Sequence, residues 1–282
     1  MKIFIQSNKF QYTAAKVAKF SFERFGYNTE IVNFEEHETL TKKIGEKYLR
    51  KGEIKIFKND LQSFTLLRFL IPQLAKPNDK IAIIDPDVFA LKSLNELQEI
   101  TNVDNKIFCT FYNGIPRSEV MIGKARNFYL NFNQLIRDLF ELKIDYDDIM
   151  SLRLYKHNKL VEIPHTYNQH DQINKGTFIL HTTNRISQPW KLGLKVDFER
   201  HLSSKTKIIN YLKKFLFLSY NKSFVSNYYI KHESKEVYNF ILELFKEAIN
   251  KNYINKRELE KSVQEGFVGI NFFKDLINTI DS

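Results

Sequence analysis

Lys80-Ile81-Ala82-Ile83-Ile84-Asp85-Pro86-Asp87-Val88 is an apolar run that ends abruptly in two carboxylates. Its apolar part predicts a buried strand from Ile81 to Asp85 in the middle of a sheet, and Pro86, which has no N–H, cannot continue the ladder. The acids are therefore expected at the strand's C-terminal edge, where open α/β sheets hold their ligands. Residues i and i+2 of an extended chain point the same way, so Asp85 and Asp87 can converge on one cation. The stretch predicts a metal site that holds a diphosphate.

The chain around it has 282 residues, 43% hydrophobic and 14% aromatic, enough for one large domain or a domain with an appendage. Such a composition describes a globular protein rather than a disordered one. The net charge of +10, from 43 Lys+Arg against 33 Asp+Glu, favours anionic partners without choosing among nucleotides, phosphorylated lipids, acidic glycans and nucleic acid. The single cysteine, Cys109, lies in an apolar run, has no partner for an internal disulfide and is expected to be a buried thiol in a reducing compartment. Met1-Lys2-Ile3-Phe4-Ile5 leads straight into a strand-like run, and no 18 uncharged apolar residues occur together. A cytoplasmic location is expected.

Upstream of the acids, Ile3 to Gln6 reads as a first strand and Ser7 to Gln11 as a loop. Ala14, Val17, Ala18, Phe22 and Phe25 then fall at helical spacing, closed by Gly26, before an extended run from Thr29 to Phe34. A strand, helix, strand unit of this length is a crossover in a parallel sheet, and its first loop is a natural nucleotide pocket. Tyr12, at the start of that helix, is placed to stack on a base or to pack. Residues 35–59 read as a polar, irregular excursion. From Asp60 a helix is expected, with Leu67, Leu70, Ile71 and Leu74 as its apolar stripe. Arg68 lies beside that stripe, placed to reach a phosphate or to remain a solvated helix charge.

Downstream, Leu91, Leu94 and Leu97 suggest a short helix, followed by strands around 107–111 and 119–122 and a long amphipathic helix over about 125–142. Asp145-Tyr146-Asp147-Asp148 then sets carboxylates at a helix start, where acids ordinarily complement the helix dipole. A second landmark runs from Lys175 to Lys191: Phe178 to Leu180 read as a buried strand, and His181 emerges at its end as Asp85 does from its own. A histidine there is either a hydrogen-bonded structural residue or, with Asp85 and Asp87 nearby, a ligand. Trp190, the only tryptophan, reads as core. Beyond residue 200 helical periodicity dominates, dividing the chain into a domain over 1–200 and a helical region over 201–282. Within the latter, residues 205–218 form a segment apolar on one side and lysine-bearing on the other, suited to packing on the domain or to lying on an anionic membrane.

Together these landmarks resemble the GT-A sugar-nucleotide transferases, and are similar in particular to glycosyltransferase family 8. The pattern spans about the first 190 residues: the N-terminal Ile-rich strand, the loop with Tyr12, the Val17 to Phe25 helix, Phe64-Thr65-Leu66-Leu67-Arg68-Phe69-Leu70-Ile71-Pro72, Ile83-Ile84-Asp85-Pro86-Asp87-Val88, and His181-Thr182-Thr183 running to Gln188-Pro189-Trp190-Lys191. The resemblance implies a Rossmann-like α/β fold with a mixed sheet flanked by helices. Asp85, Asp87 and His181 would be the metal ligands, and Ser7, Tyr12, Arg68, Asp85, Arg185 and Lys191 would line the nucleotide-diphosphate site. It further implies a UDP-sugar donor, a glycan, lipid-linked or other hydroxyl acceptor, and retention of anomeric configuration. Nucleic acid is not an expected partner. The chain departs from the family where a glycine and a lysine are usual, here Asn184 and Gln188, and where Ser118-Glu119-Val120-Met121-Ile122 replaces an Asn-x-Gly pattern.

The chemistry accounts for the residue types. A divalent ion bridging a departing diphosphate stabilises charge as the anomeric C–O bond breaks. Carboxylates bind hard cations and an imidazole tilts preference from Mg²⁺ toward Mn²⁺. For a nucleophile or base, Asp147, Asp148 and Asp171 are the candidates. Two alternatives stay open: a phosphatase similar to the haloacid dehalogenase group, in which a strand also ends in Asp-x-Asp but continues unlike Val88, and a degenerate transferase kept as a nucleotide-binding or membrane-docking module.

Overall fold

The computed structural model describes residues 1–37, 47–56, 63–197 and 226–280, with Leu212, Lys213 and Phe215 between them. The chain divides into two compact units, residues 1–181 and 182–282.

The first unit is built on a six-stranded mixed sheet of order β2-β1-β5-β8-β7-β9. Its strands are β1 (Lys2–Ser7), β2 (Asn28–Asn33), β5 (Lys80–Ile84), β7 (Ile107–Tyr112), β8 (Ile115–Lys124) and β9 (Leu160–Glu162). β1 runs parallel to both β2 and β5, so the expected crossover is present, with helix α1 (Tyr12–Glu23) as its connection. Gly26 follows with φ +84, the left-handed turn that frees the chain to re-enter the sheet. β8 is antiparallel to β5 and β7, while β9 is parallel to β7.

Continuous apolar strands need cover on both faces. On one face Phe4, Ile81, Ile83, Ile107, Cys109 and Met121 share a core with Phe64, Leu67, Leu139 and Ile149. Cys109 is fully buried there, and burial pushes its thiol up to about 12. On the other face α1 packs against β1, β2 and the short strand β6 (Val88–Ala90). β6 belongs to a second sheet of order β10-β11-β6, with β10 at Gln169–His170 and β11 at Ile179–His181.

Three expectations are corrected. The polar excursion contains a hairpin, β3 (Lys47–Arg50) with β4 (Glu53–Ile56). Lys51 and Gly52 both take positive φ in its turn, and Asp145 accepts hydrogen bonds from their N–H groups at 3.1 and 3.0 Å. The apolar stripe after Asp60 winds as 3₁₀ helix, Ser63–Phe69, buried all round, and Ile71–Leu74, where Pro72 removes a donor and Leu74 is exposed. The long helix expected over 125–142 is a 3₁₀ turn, Ala125–Phe128, and a separate helix α3 (Phe132–Phe140), whose new start Asn131 caps by accepting from Gln134 N at 3.0 Å. The short helix after Asp87 is α2 (Asn95–Ile100).

The second unit carries 3₁₀ turns at Arg185–Ser187 and Pro189–Lys191 and the helices α5 (Lys235–Asn250), α6 (Lys256–Gln264) and α7 (Ile270–Ile280). Residues 146–150 of the first unit supply α4 (Tyr146–Met150). Helices α5 and α7 meet through Phe245 and Phe272, ring centroids 4.9 Å apart, and both pack on the Pro189–Lys191 turn around the buried Trp190. Gly269 donates its N–H to the Trp190 carbonyl at 2.7 Å, and a Cβ there would lie 2.0 Å from the Leu192 carbonyl oxygen, so only glycine fits. The basic segment 205–218 lies outside the described residues except for Leu212, Lys213 and Phe215, all exposed. Among the described residues, no helix is long and apolar enough to cross a membrane.

Candidate metal and diphosphate site

β5 stops where the sequence placed its stop. Asp85 makes one last ladder bond, its N–H donating to the Glu119 carbonyl at 3.1 Å, and Pro86 then turns the chain out of the large sheet. Val88 begins β6, which pairs antiparallel with β11 so that Val88 lies opposite His181. This register sets Asp87, one residue earlier, beside the imidazole: His181 Nε2 is 3.4 Å from Asp87 Oδ1. One ligand atom each from Asp85, Asp87 and His181 falls within 4.8 Å of the others. Asp85 and His181 are only 7% and 4% exposed.

Neighbours fix the orientation of these ligands. Arg68 is fully buried, and its Nη2 donates to Asp85 Oδ1 at 2.8 Å while Nη1 donates to the Ser118 hydroxyl. Ser118 passes a hydrogen bond on to the Met150 carbonyl at 2.9 Å. The Gln6 amide, at the end of β1, donates to the same Asp85 oxygen. On the other side His181 Nδ1 lies 3.0 Å from Asn168 Oδ1, and Asn168 Nδ2 donates to Thr110 Oγ1 at 3.0 Å. An oxygen facing Nδ1 selects the tautomer with the proton there, which turns the Nε2 lone pair toward the carboxylates.

The electrostatics suit a cation. Burial pushes the Asp85 carboxyl up to about 7, with Asp87 adding to the rise and Arg68 opposing it. Burial also opposes charge on His181, but the Asp87 carboxylate outweighs it and, with Glu119 and Asp85, lifts the imidazole to about 9. With no cation, Asp85 and His181 are the groups whose hold on a proton is strengthened. Two carboxylate oxygens and an imidazole nitrogen in one place, each held from behind, are a donor set fit for a divalent ion that displaces those protons.

The remaining candidates lie as follows. Ser7 is buried at the end of β1, its hydroxyl donating to the Asn8 carbonyl at 3.2 Å. Tyr12 opens α1 and is 38% exposed, with Lys16 Nζ 5.4 Å from its ring centre. Asp148 completes a capping box with Asp145 on α4 and pairs with Arg153 at 2.8 Å, and Asp147 donates its N–H to Asp145 Oδ1. Asp171 follows β10 with φ +51 and donates its N–H to the His181 carbonyl at 3.0 Å. In the second unit Lys191 is buried, with Nζ 3.2 Å from Asp197 Oδ2 and 3.4 Å from the Tyr229 hydroxyl, and Arg185 opens the first 3₁₀ turn. Sequence reasoning passed over Gln6, Ser118 and Asn168. Gln6 carried a readable signal, a polar residue ending an apolar strand; Ser118 was marked only as the start of a segment that departs from the family pattern, and Asn168 carried none.

No protein-family model matches the chain, and no curated protein matches it. Among solved structures it is similar to the galactosyltransferase LgtC in complex with donor and acceptor sugar analogs, at 12% identity over 67% of this chain and 89% of that one, with a TM-score of 0.46. It is similar to the glycosyltransferase GlyE of Streptococcus pneumoniae at 15% identity over 90% of this chain and 65% of that one, TM-score 0.47. It is also similar to the bifunctional glycosyltransferase WbbM at 13% identity over 68% of this chain and 47% of that one, TM-score 0.47.

Proposed function

We propose that the chain is a metal-dependent GT-A-type glycosyltransferase that moves a sugar from a nucleoside-diphosphate donor to a hydroxyl acceptor. The observation that carries this reading is the meeting of Asp85, Asp87 and His181 ligand atoms within 4.8 Å at the C-terminal edge of β5, where an open α/β sheet holds its ligand. A UDP-sugar donor, a glycan or lipid-linked acceptor, Mn²⁺ in preference to Mg²⁺, retention of configuration and action in the cytoplasm belong to the same reading.

Asp85, Asp87 and His181 would hold the ion, which when bound neutralises charge on the diphosphate leaving group. Arg68 and Gln6 keep the Asp85 oxygen aimed, and Asn168 keeps the His181 Nε2 lone pair aimed, so little reorganisation accompanies binding. Tyr12, exposed at the start of α1, would stack on the base. Asp171, fixed by its bond to the His181 carbonyl, is the candidate carboxylate nearest in the chain to a ligand strand. Calorimetry with Mn²⁺ and UDP tests the reading: wild type should bind UDP in a metal-dependent way and Asp87→Ala should not. Equal UDP affinity with and without Mn²⁺ would overturn it.

A further inference from the structure

Arg68 holds Asp85 from a 3₁₀ helix, Ser63–Phe69, with its Nη2 2.8 Å from Asp85 Oδ1. Such helices have poor hydrogen-bond geometry and seldom run this long, so a contact outside the helix has to fix its rotation. With three residues per turn, side chains at i and i+3 eclipse, and Thr65 and Arg68 therefore stand one above the other on the same face. Thr65 Oγ1 shares a hydrogen bond with the Tyr146 hydroxyl, and both residues are buried. The face that carries Arg68 is thus pinned one turn away from it.

Tyr146 is the first residue of α4, and Met150, its last, reaches the same guanidinium from the other side. The Met150 carbonyl accepts from the Ser118 hydroxyl at 2.9 Å, and Ser118 in turn accepts from Arg68 Nη1. A five-residue helix is only about 7.5 Å long, so its two ends bracket Arg68, one through Thr65 and the other through Ser118. The bracket is itself clamped by the β3–β4 hairpin. Tyr48 lies against the Tyr146 ring with centroids 5.5 Å apart, the Arg50 guanidinium sits 5.0 Å from the centre of that ring, and Asp145, the cap of α4, grips the hairpin turn. A ring packed in this way has little rotamer freedom left, which makes its hydroxyl a fixed point for Thr65.

We infer that Tyr146 and Thr65 are positioning residues of the metal site: the Tyr146 hydroxyl sets the rotation of the Ser63–Phe69 helix, the helix aims Arg68, and Arg68 aims Asp85. The inference rests on the transferase reading in that Asp85 is taken as a metal ligand. It gives α4 and the β3–β4 hairpin a part in metal binding, exerted from behind Arg68.

Mn²⁺ titration of the full chain by calorimetry, with the EPR spectrum of the bound ion, tests this. Tyr146→Phe keeps the ring and loses the hydroxyl; Thr65→Val keeps the shape and loses the partner. Each should weaken Mn²⁺ binding several-fold, less than the roughly 10–100-fold expected for a group that touches a ligand directly, and each should alter the EPR spectrum. Thr65→Ser, which retains a hydroxyl, should bind as wild type does. In an Arg68→Met background, Tyr146→Phe should change the affinity by less than about twofold, the margin within which independent sites add, because the residue it acts through is gone. Wild-type affinity in Tyr146→Phe would overturn the inference, as would an equal loss with and without Arg68, which would mark the hydroxyl as structural only. Should circular dichroism show that Tyr146→Phe does not fold, the Thr65 pair decides, and equal affinities of Thr65→Val and Thr65→Ser would overturn it. Wild type that binds no Mn²⁺ would instead overturn the transferase reading, and the inference with it, so the wild-type titration tells the two failures apart.

Discussion

Asn168 Oδ1 stands 3.0 Å from His181 Nδ1, and this places His181 Nε2 3.4 Å from Asp87 Oδ1 on the opposite side of the ring. The amide therefore sets both the tautomer and the direction of the candidate ligand. Asn168→Ala should lower Mn²⁺ affinity roughly 10–100-fold, the usual cost of losing an outer-shell partner, with the fold retained. Calorimetry together with circular dichroism reads both effects. An unchanged affinity would mean that His181 does not ligate through Nε2.

Proton linkage gives the second prediction. Asp85, raised to about 7, and His181, raised to about 9, must both lose protons before a cation can enter. Mn²⁺ affinity should rise steeply from pH 6 to pH 8 (roughly, the span around the lower of these values), and binding should release protons, seen as a calorimetric heat that changes with the buffer's ionisation enthalpy. For the metal-free protein the sign reverses. Both folded pKa values exceed the unfolded ones, so the folded state binds protons more tightly; the Asp85 contribution to stability falls as pH rises toward about 7, and the His181 contribution is lost as pH rises through about 9. Melting curves without metal should therefore drop over this range, and saturating Mn²⁺ should remove the drop.

These groups were legible in the sequence to different depths. Asp85 and Asp87 announce themselves because a strand's end is a local event: an apolar run, then a proline. The β1–α1–β2 unit was readable for the same reason, Ala14 to Phe22 keeping one period and Gly26 closing it. The meeting of Asp87 with His181 depends on the register of β6 with β11, two three-residue strands whose pairing no local pattern fixes. The β3–β4 hairpin was missed because each strand is only four residues long; it is held by Tyr48, buried in the core against Tyr146, and by Asp145, far along the chain, gripping the Lys51–Gly52 turn. Arg68 was read as reaching a phosphate or as a solvated helix charge, yet it is held inward by Asp85 and Ser118, from a 3₁₀ helix, Ser63–Phe69, that packs against β1.

That inward placement makes Arg68 testable. Its guanidinium opposes the burial that raises the Asp85 carboxyl. Arg68→Met should push the Asp85 carboxyl higher still, moving the pH midpoint of Mn²⁺ binding upward. Removing one partner of a buried ion pair typically costs roughly 3–5 kcal/mol; at neutral pH, protonation of Asp85 should soften this. The double variant Arg68→Met/Asp85→Asn should then be more stable to urea than Arg68→Met alone. Equal stability would show that the pair is not coupled.

Asp145 and Asp148 separate architecture from chemistry on α4. Asp145 accepts from the Asp147 N–H at 2.7 Å and also from Lys51 and Gly52, whereas Asp148, among the described residues, accepts at the helix start and from the exposed Arg153. Asp145 is accordingly held below the usual carboxylate range by these backbone donors, against the opposing effect of burial. Asp145→Ala should therefore cost about 1–2 kcal/mol, the upper range for an N-cap, and Asp148→Ala less. The Asp145 share should fade on acidification as its depressed carboxyl takes up a proton, so the gap between the two variants in urea melts should close as the pH falls. If Asp148→Ala instead abolishes sugar transfer while its urea midpoint and Mn²⁺ affinity stay at wild-type values, Asp148 is a catalytic group and the cap is incidental; unchanged transfer confines it to the helix end.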